Sequence, residues 1–194
     1  MSIRTYTELK KRIDALAATF LPANSLTGSY SPRENDLIRS YVLLAHAEIE
    51  SFCEDLALHV VKEAQRRSVP TRCSSVISRL VLYRAAWGNR DLEVLSEELI
   101  VEACDFFRSQ VGSNHGVKRE NLLRLFIPLG LSHNDFDETL LATLDSFGTQ
   151  RGDFAHRSTK TLQPLDPVSE KARVDLIMPE LARVDQIARA LIPR

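Results

Sequence analysis

From Arg33 to Val69 the chain contains neither glycine nor proline. No other feature of the sequence limits the possible folds so strongly. Ser31, Pro32 and Glu34 stand at the front of this run. Ser31 can cap a helix, Pro32 suits the first helical position, and Glu34 completes a capping box three residues after Ser31. The spacing predicts one helix from about Pro32 to Arg67, roughly 54 Å long at the usual helical rise. Leu37, Tyr41, Leu44, Ala45, Ile49, Phe52, Leu56 and Val60 give it a broad apolar face. In a chain of 194 residues, such a helix serves as the spine of a bundle or as a dimer surface.

The remaining segments follow the same helical period. Leu9, Ile13, Leu16, Ala17 and Phe20 form a stripe on a helix from Tyr6 to Leu21. Further helices are predicted from Ser74 to Ala86, Leu92 to Val111 and Val117 to Leu125, each followed by glycine or proline. Another runs from Asp135 to Phe147 and ends at Gly148. A last one runs from Pro167 to Leu191, with a kink at Pro179. No segment alternates with the period of a strand, and no internal repeat is present. The expectation is an all-α fold: an up-and-down helical bundle of about seven to eight helices with one long spine helix. It is read as a single domain over residues 1–194, with its core at about 31–190.

Apolar residues make up 44% of the chain and charged residues 26%, the balance of a soluble globule. The net charge is −1. That excludes a basic nucleic-acid coat or a polybasic membrane binder, but not a local basic site. The charges are unevenly spread. Residues 64–90 hold six arginines and no acid, and residues 91–105 hold six acids and no base. Two adjacent segments pairing their charges would explain this, and so would a basic face beside an acidic one. Cys53, Cys73 and Cys104 form no CxxC pair, so reduced thiols packed in helices are expected, with no disulfide framework and no metal. No apolar run reaches membrane-spanning length and the N-terminus lacks a signal core, so no membrane association and a cytoplasmic location are expected.

No phosphate-cradling P-loop, no GxGxxG, no HExxH and no GxSxG is present. One segment carries chemistry: Phe147-Gly148-Thr149-Gln150-Arg151-Gly152-Asp153-Phe154-Ala155-His156. Histidine can take or give a proton near neutral pH. Arginine offers a permanent forked charge that matches phosphate oxygens. Together they suit RNA cleavage, in which the 2′-hydroxyl is an internal nucleophile and needs no metal. Five residues turn a regular helix by about 500°, leaving the two positions roughly 140° apart. Gly148 and Gly152 permit a break that would place Arg151 ahead of the helix carrying His156. Alternatively, two copies of the motif share one site across a dimer axis. A structural reading stands beside these: Arg151 pairs with Asp145 or Asp153, and His156 caps a helix. Trp87 can stack a base, although a place in the core or an interface is the ordinary role of a tryptophan.

The pattern alone is weak, since 19 arginines and five histidines give about half a chance match. Its context is stronger. Residues 114–158, together with Ala45-His46-Ala47-Glu48-Ile49-Glu50-Ser51-Phe52, resemble the HEPN superfamily (higher eukaryotes and prokaryotes nucleotide-binding), nearest to its RiboL-PSP type. The resemblance implies a helical, usually dimeric domain. It further implies a metal-independent endoribonuclease, without cofactor, of toxin–antitoxin or anti-phage defence systems. The implied catalytic pair is Arg151 and His156. Glu50 and Glu48 are candidates to orient that pair, and Asp153 is a candidate substitute for the polar residue often found where this chain has Gly152. Arg157, Lys160, Lys118 and Arg119 are candidates to hold RNA phosphates. The implied partners are RNA, a second copy in a homodimer with a composite site, and an antitoxin or defence-system protein. The alternative is a non-catalytic HEPN-like module that binds nucleotide, RNA or protein.

Overall fold

The computed structural model describes residues 5–88, 95–156 and 165–192, the side chains of residues 155 and 156 excepted. Among the described residues there are seven α-helices, one 3-10 turn and no strand. They run α1 (Tyr6–Phe20), α2 (Pro32–Arg66), α3 (Ser75–Gly88), α4 (Glu97–Gly112), α5 (Arg119–Phe126), α6 (Glu138–His156) and α7 (Pro167–Ala190), with the 3-10 turn His133–Asp135 before α6. The fold is an all-α bundle.

The spine forms as its sequence dictates. Glu34 donates its backbone N–H to Ser31 Oγ at 3.3 Å, and Ser31 N–H reaches Glu34 Oε2 at 2.8 Å. The capping box thus satisfies two amide donors that would otherwise be unpaired. The 35 residues of α2 then run unbroken, with Ile38, Tyr41, Val42, Ala45, Ile49, Phe52, Leu56 and Val60 fully buried. α2 touches each of the six other α-helices, and one connected core surrounds it. A helix this apolar along its length is stable only at the centre of such a packing. Among the described residues no helix is long and apolar enough to cross a membrane.

Two helices and one cysteine depart from the sequence reading. α4 starts at Glu97, not Leu92, because Ser96 caps it by accepting from Leu99 N–H at 3.2 Å and Glu97 and Glu98 fill the first turn. Cys73 lies in the loop before α3, whereas Cys53 and Cys104 lie buried in helices; burial pushes the Cys53 thiol up to about 12 and the Cys104 thiol up to about 11. The third departure concerns the motif. α6 does not end at Gly148 and does not break at Gly152; it continues to His156. Contacts beyond Gly148 outweigh the roughly 1 kcal/mol that each helical glycine costs. Phe154 packs on the core. Gln150 Nε2 donates to Glu170 Oε1 of α7 at 2.8 Å, and Arg173 of α7 donates to Gln150 Oε1. Glu170 is 4% exposed and also accepts from Arg173 at 3.1 Å. This polar clasp holds the second half of α6 against α7. α7 itself continues past Pro179, which lies on its exposed side.

The arginine-only and acid-only segments meet where α3 packs on α4, with Arg84 Nη2 2.8 Å from Glu102 Oε1. Trp87 is not in the core; it stands 63% exposed at the end of α3. Arg90 lies outside the described residues.

Candidate active site

The middle of α2, the loop between α4 and α5, and α6 meet around His46. This side chain is 2% exposed, and its ring lies against Phe147 of α6, with centroids 5.6 Å apart. Glu50 follows four residues later, on the same face of α2. Its Oε2 lies 3.5 Å from His46 Nδ1, beyond a good hydrogen bond. Its Oε1 accepts the backbone N–H of Gly116. Gly116 has φ +108°, a conformation that disfavours any side chain, so the residue that delivers this N–H has to be glycine.

Glu54 continues the same face one turn on. Burial raises its carboxyl above the usual range, the neighbouring Glu50 adds to the rise, and Asn114 and His115 temper it. Asn114 is 2% exposed and accepts from Asn121 Nδ2 at 3.1 Å. The α4–α5 loop is thereby fixed to α2 by polar contacts. Burial also keeps the His46 imidazole neutral: its pKa falls to about 4, opposed by Glu50 and reinforced by the positive charge of Arg151. Arg151 therefore lies within electrostatic reach of His46, one turn beyond Phe147.

Arg151 itself is exposed, and no carboxylate of a described residue pairs with it. Asp145, one of its sequence-predicted partners, is occupied: it accepts Arg119 N–H at 2.9 Å and lies 3.6 Å from Arg119 Nε. Arg119 also donates to Glu138 Oε2 at 2.6 Å. Its charge is thus engaged along the first half of α6. Lys118 is differently placed. Its stem lies across Gly148, where an added Cβ would come 2.7 Å from Lys118 Cγ. Gly148 admits this crossing, which sets an exposed lysine on α6 one turn from Arg151.

Of the sequence-predicted residues, Glu50, Lys118 and Arg151 belong to one region. Glu48 points elsewhere, to Arg12 of α1 at 2.9 Å. Asp153 is half-buried on α6 and has an interaction partner of its own. His156 ends α6, and its side chain is outside the described residues, as are Arg157 and Lys160. Among the described residues, no three His, Cys, Asp or Glu side chains stand together as metal ligands would. The sequence reading left His46, Glu54 and Asn114 without a role. The four-residue spacing of His46, Glu50 and Glu54 puts them on one face of α2, but nothing in the local sequence shows that the Asn114 loop folds against that face.

The model of one known family, RiboL-PSP-HEPN, matches residues 7–177. The chain belongs to the RiboL-PSP-HEPN family. The match takes in α1 to α6 and the first half of α7, so the HEPN domain includes both His46–Glu50 and the Arg151 motif. No curated protein and no solved structure matches the chain.

Proposed function

We propose that this HEPN protein is a metal-independent endoribonuclease whose site is completed by a second copy. The observation that carries the reading is the exposed Arg151, free of any described carboxylate, on a helix that continues through Gly148 and Gly152. A guanidinium that no described carboxylate pairs, one helical turn from the Gly148–Lys118 crossing, suits the phosphate of RNA. On one unbroken helix the Arg151 and His156 positions lie about 140° apart around the axis. A site formed between two copies removes that obstacle and supplies two copies of His156. One takes the proton of the 2′-hydroxyl, whose oxygen attacks phosphorus. The bond from phosphorus to the 5′-oxygen breaks, and the second His156 protonates that oxygen. The products are a 2′,3′-cyclic phosphate and a 5′-hydroxyl. Arg151 stabilises the charge that builds on the crowded phosphate. A role as a toxin or anti-phage effector follows from the family resemblance.

The test is RNA cleavage in EDTA by the wild type, Arg151→Ala and His156→Ala. The wild type cleaves, and each substitution lowers the rate about 100-fold or more. Activity that survives both substitutions refutes the assignment.

One observation favours a non-catalytic RNA- or protein-binding module. At Gly152, where relatives often carry a polar side chain, no described neighbour lies within 4 Å of an added Cβ. Among the described residues there is space for a side chain that the chain does not use. Wild type and His156→Ala that are equally toxic, or equally harmless, on expression would favour this second reading.

A further inference from the structure

Between α3 and α5 the surface opens into a cleft of about 440 Å³. It shares no residue with the His46–Arg151 region. Leu82 and Tyr83 of α3 form one wall, and Leu123 and Ile127 the other. Leu82 is 61% exposed, an uncommon state for a leucine beside a cleft already lined with apolar groups. Past Tyr83 the apolar surface continues. The rings of Tyr83, Trp87 and Phe106 form a triangle with centroids 5.8 to 5.9 Å apart, and Trp87 is its exposed corner. The surface is therefore a strip longer than the cleft.

Among the described residues the charges on the rim have one sign. Arg79 and Arg124 flank the apolar walls, and neither pairs with a carboxylate of a described residue. Arg124 lies near enough to Tyr83 to pull its hydroxyl pKa down against the rise from burial. His133 lies at the same cleft, and among the described residues no acid lines it.

We infer that this strip is the docking groove for an acidic amphipathic helix of a partner protein. An aliphatic floor between two helices receives apolar anchors spaced i, i+3 or i+4, and i+7. The two arginines select acidic residues beside those anchors. RNA fits this surface less well: the walls of the cleft are mainly aliphatic, and of the Tyr83–Trp87–Phe106 rings only Trp87 is exposed, whereas single strands need successive stacking faces. The inference holds whether or not the protein cleaves RNA.

The test selects binders to the full-length protein from a display library of peptides about five helical turns long. Trp87 is the single tryptophan of the chain, so its fluorescence reports occupancy directly. The expected peptides are rich in Asp and Glu, with apolar residues at helical spacing. Their affinity falls about tenfold or more with Arg124→Glu and with Leu82→Glu. Both side chains are exposed, so either substitution leaves the core intact, and RNA cleavage by the variants serves as an independent readout. Selected peptides without an acidic excess overturn the proposal. So do peptides indifferent to both substitutions, or a library that yields no binder. A single-stranded RNA whose effect on Trp87 is lost in Arg124→Glu assigns the groove to nucleic acid. Self-association abolished by Leu82→Glu assigns it to a second copy. Either outcome also overturns the proposal.

Discussion

His46 shows how far burial can take a side chain from its behaviour in water. In water an imidazole is half-protonated at pH 6.5; at 2% exposure, with Arg151 nearby, His46 stays neutral down to about pH 4. Above pH 6.5 it is neutral in both the folded and the unfolded chain and adds no pH dependence. Between 6.5 and about 4, the unfolded chain takes up a proton that the folded chain refuses. Stability therefore falls with acidification through that window and ceases to fall, on account of this group, below about pH 4. Urea unfolding at a series of pH values checks this: His46→Gln flattens the slope in that window relative to wild type. His59, also depressed by burial, leaves part of the slope in both proteins. At this scale the sequence was half legible. Glu50 could be picked out by its place in a family-like segment. His46, in the same segment, drew no role, since a histidine on an apolar face carries no sign of the Asn114 loop and the α6 arginine that fold against it.

At the scale of the helix, the clearest contrast is between the two glycines of α6. Both are helical, but among the described residues only Gly148 is crossed by a neighbour, the stem of Lys118. Gly152→Ala, with no described neighbour near an added Cβ, removes a glycine from a helix and raises stability by about 0.5–1 kcal/mol. Gly148→Ala gains the same propensity but drives Lys118 off its path, so its net stability gain is smaller or negative. Its RNA affinity falls with the displaced cation. Thermal melts of the two variants, with RNA binding by fluorescence anisotropy, measure the difference. The same contrast explains what was readable. α2 was legible to within a residue because its start signals are local and its interior holds no breaker. α6 was misread because a glycine after a periodic run ordinarily marks a helix end. The contacts that carry the helix onward, from Gln150 to Glu170 and Arg173, join residues some twenty positions apart and leave no mark in local sequence. The start of α4 was readable in principle, from Ser96 followed by two glutamates, but the apolar period from Leu92 masked it.

For the molecule as a whole, a net charge of −1 conceals strong local contrasts. Much of the positive charge is spent internally: Arg84 on Glu102, Arg108 on Asp105, Arg119 on Glu138, Arg173 on Glu170. Arg151 and Lys118 remain near the candidate site, and Arg79 and Arg124 at the groove. If two copies together present two such Arg151–Lys118 pairs, about four phosphates are contacted. The slope of log affinity for single-stranded RNA against log salt is then about −3. Binding measured across a salt series checks it. A slope near zero removes the phosphate role, and one steeper than about −6 requires a far longer basic track. Sedimentation of the RNA-cleaving species gives a mass near twice 21.9 kDa.

The spine helix brings a last consequence, in the time domain. Because every other α-helix rests on α2, no helix can detach without stripping part of its surface, and α2 cannot leave until all have let go. The amide protons around Ile49 and Phe52 thus exchange with solvent only when the entire chain opens, whereas those at the end of α6 can exchange through local fraying. The most persistent backbone of the protein and the backbone that carries its candidate catalytic histidine then keep separate clocks.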